Sequence, residues 1–290
     1  MHEKDMQKVT VGQTITKVTV QFLLYLFLVI MAIIVVFPFY WMIISSLKSI
    51  PEYRLPTPTL IPKEFMWSNY LGVFTTENLA KCFMNTVYVG IVSTILSLVI
   101  TVISAFAFAR LEFKGKNAMF AALLATMMIP GELFTISNYV TVVKAGWQNS
   151  YTALIVPFLV SVFYIYLLRQ NFMQIPNELY LAAKVDGTSD FKYLWKVMIP
   201  LSLPNLISIT ILKMMGAWNS YVWPQYINTD EGMRLITNAL RAGIIDEKTN
   251  LPHYPMQMAA VTVVSIPLFL VFIFLRKYIM KGVSRSGIKG

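Results

Sequence analysis

Four uncharged, apolar stretches dominate the chain, running from Val18 to Leu47, Cys82 to Ala109, Ala145 to Leu168 and Thr249 to Leu275. A helix that crosses the hydrocarbon core of a bilayer needs about 20 such residues, so each stretch predicts a span. Two further stretches are interrupted. Asn117 to about Tyr139 contains the break Pro130-Gly131-Glu132, and Val197 to about Tyr226 contains Lys213. The pattern therefore predicts an all-α polytopic membrane protein with six transmembrane helices. Its layout is a segment 1–17, a transmembrane domain 18–280 and a tail 281–290, with a polar loop at 177–198 inside the domain. The first apolar run is too long for a signal-peptide core and no small-residue cleavage site follows it, so it reads as a retained span.

Six spans place both termini on one side. The segments on that side carry 15 Lys and Arg, the opposite segments carry 8, and Lys213 lies within a span. Basic residues accumulate on the cytoplasmic side, so both termini and the loop at 177–198 are expected there. Of the external loops, 49–80 is rich in proline (Pro51, Pro56, Pro58, Pro62) and predicts turns with one short surface helix near Trp67 to Phe74. The other, 228–251, reads either as a partner contact or as a solvated connector.

Composition narrows the function. The 290 residues are 57% hydrophobic and 13% charged, with a mean hydropathy of +0.62, whereas soluble domains carry about 25% charged residues. The net charge of +10 flanks apolar runs, as lipid headgroups favour, and no aromatic-basic groove supports nucleic-acid binding. Cys82 is a single cysteine, and His2 and His253 are far apart, which excludes a disulfide framework and a local metal-ligand cluster. No catalytic constellation and no metal site are expected.

The polar loop is patterned as a helix-turn-helix. Pro176 disfavours helix before it, Asn177 is suited to cap a helix, and Glu178 sits favourably in the first turn. Leu179, Ala182, Ala183 and Asp186 then fall at helical spacing on one narrow face, and Gly187 suits the left-handed conformation that ends a helix. A second helix from about Asp190 places Phe191, Leu194, Trp195 and Met198 on one stripe. A small-residue face of this kind fits a cleft in another protein; an interfacial helix lying on lipid is the competing reading.

Leu181-Ala182-Ala183-Lys184-Val185-Asp186-Gly187-Thr188, Phe191 and Ile199-Pro200 resemble the EAA loop of ABC-importer permeases. Further matches are to the sugar-importing branch, the maltose-transporter permease type without a large extra domain. They are Asn85-Thr86, the run Ala105 to Leu111, Met127 to Gly131, Leu168 to Phe172, Gly216-Ala217-Trp218-Asn219 and Gly287-Ile288-Lys289-Gly290. The loop departs from the family pattern at Leu181, where the family has Glu, and at Thr188, where it has Ala. Glu178 lies one turn earlier as a candidate for the missing charge.

The resemblance implies the fold of a type I ABC importer permease in a prokaryotic cytoplasmic membrane. It implies that Glu178, Leu179, Ala182, Ala183, Asp186, Gly187 and Phe191 couple to an ATPase, and that Gly287, Lys289 and Gly290 reach the ATPase as a tail. A basic end snorkelling in lipid is the competing reading of that tail. The implied partners are a second homologous permease, two ATP-binding subunits, an extracytoplasmic solute-binding protein and a saccharide. No Gly-x-x-x-x-Gly-Lys-Ser/Thr loop occurs in the chain, so ATP and Mg are expected on the partner subunits and no cofactor on this one.

Lys213 lies 13 residues after Pro200, about 20 Å along a helix, where a charge is costly and usually faces the bundle interior. It and the nearby Trp218, Asn219 and Tyr221 are candidates for the substrate path. Snorkelling of Lys213 and core packing of the others are the alternatives. An ion-coupled secondary carrier would need paired intramembrane acids or an inverted repeat, and no Asp or Glu is placed mid-span. A membrane-embedded enzyme would need a nucleophile-base pair at membrane depth.

Overall fold

A computed structural model describes residues 11–75, 77–246 and 249–284. Among these, the helical segments Lys17–Ser46, Leu79–Arg110 and Tyr254–Arg276 are long and apolar enough to cross a bilayer. Three bent pairs complete the set: Lys116–Thr126 with Gly131–Lys144 (86°), Tyr151–Phe158 with Val162–Met173 (46°), and Asp190–Leu201 with Leu203–Ile227 (82°). Counting each pair as one span gives six. The remaining described residues form shorter helices and connecting turns, with one two-residue strand pair, Ile245–Asp246 against Leu251–Pro252.

Two expectations change. The apolar window from Ala145 to Leu168 is not one helix. It opens with a turn at Gly146 (φ 71°), becomes helical at Tyr151, and breaks after the 3-10 turn Val156–Phe158. Pro157 cannot donate a backbone hydrogen bond there, and Ser161, in extended conformation, starts the next helix by accepting from Tyr164 N–H. In addition, counting the bent pair as one span puts an acid inside it: Glu132 is in the 3-10 turn Gly131–Phe134 at the 86° break. Pro38 and Pro267, by contrast, sit inside continuous helices.

The first helix, Val11–Ser46, is exposed over residues 18–40 and packs along the last, Tyr254–Ser284, with Phe39 and Phe269 edge to face at 5.5 Å. An apolar helix with so little protein cover is stable only where the solvent is hydrocarbon. The rest of the bundle has its main core at the hinge end, where Ala105, Phe106, Leu168, Phe172, Tyr193, Leu194 and Met198 are buried together. At the opposite end Trp223, Ile227 and Leu235 pack on Val89 and Leu154.

Two arginines lock the hinge end. Arg110, last residue of the Glu77–Arg110 helix and 8% exposed, donates from Nη2 to the carbonyls of Phe172 (2.8 Å) and Ile175 (2.5 Å), and from Nη1 to Asn177 Oδ1 (3.2 Å). Arg169 answers from the neighbouring helix, with Nε donating to the Phe108 carbonyl (3.0 Å) and the guanidinium 4.1 Å over the Phe120 ring. Helix C-termini leave carbonyls without intrahelical partners and carry partial negative charge, so a guanidinium fork suits both needs.

The far end is fastened by amides and hydroxyls. Asn85 Nδ2 donates to the carbonyls of Gly232 and Arg234, and Thr86 Oγ1 accepts from Ile236 N–H. The loop at 228–251 is therefore anchored to the second span and carries the helix Ile236–Ala242. In the proline-rich loop, the buried Lys48 donates to the Thr59 carbonyl, and Glu52 accepts from Thr59 Oγ1 and Lys63 N–H. The predicted surface helix is present at Ser68–Thr75, and Asn69 Nδ2 ties it to the carbonyls of Ser46 and Lys48. His253 Nδ1 accepts the Met256 N–H and caps the last helix.

Replacing Arg110 with Met should lower stability by about 3 kcal/mol, because buried carbonyls lose their charged donor. Arg110→Lys should recover only part of this, since an ammonium does not fork. Thermal unfolding of the purified assembly in detergent measures both; an unchanged midpoint for Arg110→Met would contradict the role.

Candidate coupling helix and translocation cavity

The loop at the hinge end folds as a helix, Asn177–Val185, a glycine turn, and a second helix from Asp190. Pro176 occupies the cap position, and Asn177 is the first helical residue; its side chain holds Arg110 instead of capping. At the other end Gly187 adopts φ 69°, with Gly187 N–H donating to the Lys184 carbonyl (3.0 Å) and Thr188 N–H to the Ala183 carbonyl (2.8 Å). These paired bonds close a helix only when the residue after the cap is left-handed, which favours glycine. A Cβ on Gly187 would meet nothing within 4 Å, so its surroundings in this chain are open.

The turn is braced from within. Lys184 Nζ lies 2.6 Å from Asp190 Oδ1, and Tyr180 Oη donates to the same oxygen at 2.8 Å. The Tyr180 ring packs on buried Tyr193 at 5.1 Å. The bond to Asp190 raises the Lys184 pKa above its ordinary value. A raised lysine pKa means that its contribution is complete below the unfolded value of about 10.4 and is lost only as pH rises through the higher folded value. The clasp is thus charged at neutral pH.

The outward surface differs from the expected narrow alanine face. Ala183 turns inward and packs on the hinge-end core. Glu178, Leu179, Ala182, Asp186 and Gly187 are exposed, joined by Leu181 and by Val185, which is 87% exposed. The predicted stripe of the second helix also divides. Leu194 and Met198 are buried, whereas Phe191 and Trp195 face outward, rings 6.1 Å apart. Residues Leu194–Met198 form a π-helical turn that joins this segment to Ile199–Leu201. Leu181, noted in the sequence as a departure from the loop pattern, and Val185 were not assigned to the outward surface, because an exposed apolar residue on a short helix carries no periodic signal. Gly287, Lys289 and Gly290 lie outside the described residues.

Higher in the bundle, a cavity of about 420 Å³ is lined by Lys213, Tyr221, Tyr164, Trp223, Ser93 and Phe158 among others. Lys213 Nζ donates to the Phe158 carbonyl at 2.6 Å. That carbonyl belongs to the 3-10 turn at the 46° break, so the ammonium supplies a donor where the helix stops. Two of its three donors remain for other acceptors. Tyr221 also faces the cavity, with the Arg241 guanidinium 5.0 Å from its ring. Trp218 and Asn219 are not brought to it. Trp218 is 4% exposed and packs edge to face on Phe83, and Asn219 Nδ2 bonds back to the Met215 carbonyl. Tyr164, Trp223 and Ser93 went unread because the broken span, not any local motif, assembles them.

Among the described residues no group of three or more His, Cys, Asp or Glu is placed to hold a metal. The family model for the binding-protein-dependent transport system inner membrane component matches residues 87–285. The chain belongs to this family. Such a transport permease is the translocation subunit of an ABC importer, a multi-pass cell-membrane protein whose ATPase resides on separate subunits.

Among relatives, the arabinooligosaccharides transport system permease protein AraQ of Halalkalibacterium halodurans is 30% identical over 89% of this chain and 93% of its own length. The diacetylchitobiose uptake system permease protein NgcG of Streptomyces coelicolor is 28% identical over 89% of this chain and 86% of its own. The sn-glycerol-3-phosphate transport system permease protein UgpE of Rhizobium meliloti is 28% identical over 89% and 94%. The fold matches, at TM-score 0.82 and 22% identity over 93% of this permease and 98% of the other chain, a bacterial ABC transporter involved in the import of the acidic polysaccharide alginate.

Changing Lys213 to Met should reduce solute uptake by the reconstituted importer about tenfold or more, the size expected for losing one charged hydrogen bond. Uptake equal to the unaltered importer would remove Lys213 from the path.

Proposed function

We propose that this permease carries a saccharide across the cytoplasmic membrane of a prokaryote, paired with a second homologous permease and driven by two ATP-binding subunits that hold ATP and Mg. An extracytoplasmic solute-binding protein delivers the solute. Both termini and the loop at 177–198 face the cytoplasm, in keeping with the 15 to 8 distribution of Lys and Arg. The segment 1–17, the domain 18–280 and the tail 281–290, with Gly287, Lys289 and Gly290 against the ATPase, complete the arrangement. The saccharide reading is supported by relatives named for arabinooligosaccharides and diacetylchitobiose and by a cavity with aromatic walls and a cation.

One observation supports the coupling role: a short helix with exposed Leu179, Leu181, Ala182 and Val185 is presented at the hinge end while fixed to two spans through Arg110. Exposed apolar side chains on an otherwise polar loop mark a contact surface. Phe191 and Trp195 extend that surface past Gly187. Closure of the ATPase subunits then moves this helix and the inner ends of the spans together, a two-state bundle biased by different contacts in each state. Glu178 is exposed on the first turn and is the acid nearest to the position that Leu181 occupies in the loop pattern.

Gly187→Val separates docking from folding. Within this chain it costs only the left-handed strain, about 1–2 kcal/mol, because nothing crowds the site. Uptake in proteoliposomes should nevertheless fall to background with the permease still in the membrane. Wild-type uptake together with normal ATPase association would contradict the coupling role.

A further inference from the structure

Glu132 sits at the 86° break between the helices Lys116–Thr126 and Gly131–Lys144. It follows the helix Lys116–Thr126, whose 11 residues rise about 16 Å from the hinge end, a depth comparable with that of Lys213. An ionised carboxylate there is expensive and faces a protein-lined or water-filled space. Glu132 lines a groove of about 370 Å³ with Thr135, Tyr139 and Tyr226, and with Ile136 and Val222 as apolar walls. Ligand sites commonly enclose about 300–1,000 Å³. The groove runs between the helices Thr135–Lys144 and Val222–Ile227, which belong to two different bent pairs. Val222 also lines the Lys213 cavity, so the two spaces share one residue of their walls.

The chemistry of the lining is specific. An ionised carboxylate only accepts hydrogen bonds and can take two at once, which suits adjacent hydroxyls on a sugar ring. Tyr226, 57% exposed, offers an aromatic face for the apolar C–H face of such a ring. Thr135 and Tyr139 are half-buried and add hydroxyls that both donate and accept. The same carboxylate repels a carboxylate or phosphate on the ligand. The Lys213 cavity next door has the opposite sign.

We propose that this groove is a second saccharide subsite that binds a neutral sugar ring through Glu132 and Tyr226, adjacent at Val222 to the ring held at Lys213. The inference rests on the saccharide reading above and adds the charge preference at one position. An acidic residue on the oligosaccharide is accepted at Lys213 and refused at Glu132.

The test uses the complete importer in proteoliposomes with its solute-binding protein, and radiolabelled neutral di-, tri- and tetrasaccharides beside their uronate counterparts. Glu132→Ala should cut uptake of the neutral saccharide about tenfold or more, with Tyr226→Ala similar and Tyr226→Phe close to the unaltered importer. Glu132→Gln should narrow the discrimination against the uronate form.

Ile136→Cys supplies a readout that a structural role would not move, since Cys82 is buried and silent to maleimide. The transported neutral saccharide should slow alkylation at Ile136→Cys, and should not do so when Glu132→Ala is also present. Equal uptake in Glu132→Ala, or alkylation indifferent to saccharide, overturns the subsite while the importer reading stands. An unaltered importer that takes up no saccharide at all overturns both.

Discussion

The Arg110 fork is the interaction on which the functional architecture rests. The nine-residue helix at the hinge end has little stability of its own, because isolated helices this short are marginal in water. Here its first residue, the end of the span before it and the end of the second span are joined through one guanidinium. Arg169 closes the same pair of spans from the opposite helix. The coupling helix is therefore an extension of two spans, and force applied at Leu181 or Val185 reaches the bundle without passing through a flexible connector.

Broken helices shape the proposed transport path, as the Arg110 fork shapes the proposed coupling helix. A bilayer tolerates an interrupted helix only where freed backbone groups find partners in the protein or in a water-filled cavity. Lys213 meets this need at the Phe158 carbonyl, and in doing so places a cation against the cavity. Its structural role and its proposed place on the substrate path are aspects of one geometry. Glu132 arises in the same way, since the turn that bends the third span by 86° also turns a carboxylate toward a groove.

Much of this was legible beforehand, for identifiable reasons. Long apolar windows specify spans because the bilayer sets a length, and Gly187 was readable because few other residues adopt its conformation cheaply. The inward turn of Ala183 and the division of Phe191 and Trp195 from Leu194 and Met198 were not, because which face a short helix buries is decided by the core it meets. Arg110 counted in the sequence as a cytoplasmic charge and as part of the matching run Ala105 to Leu111, with no structural role assigned to it. Its partners are main-chain carbonyls more than 60 positions away, and carbonyls leave no trace in residue identity. Trp218 carried a suggestive neighbourhood, but packing on Phe83 claims it for the core.

The central claim is that the coupling helix and the inner ends of the second and fourth spans move as one body. Spin labels at Val185→Cys and Ile103→Cys, both on exposed side chains, read that directly by pulsed electron resonance in the complete importer. The distance between them should stay constant between the nucleotide-free and ATP-bound states, and should broaden in each state once Arg110 is changed to Met. A distance that shifts with nucleotide while Arg110 is intact would contradict the account.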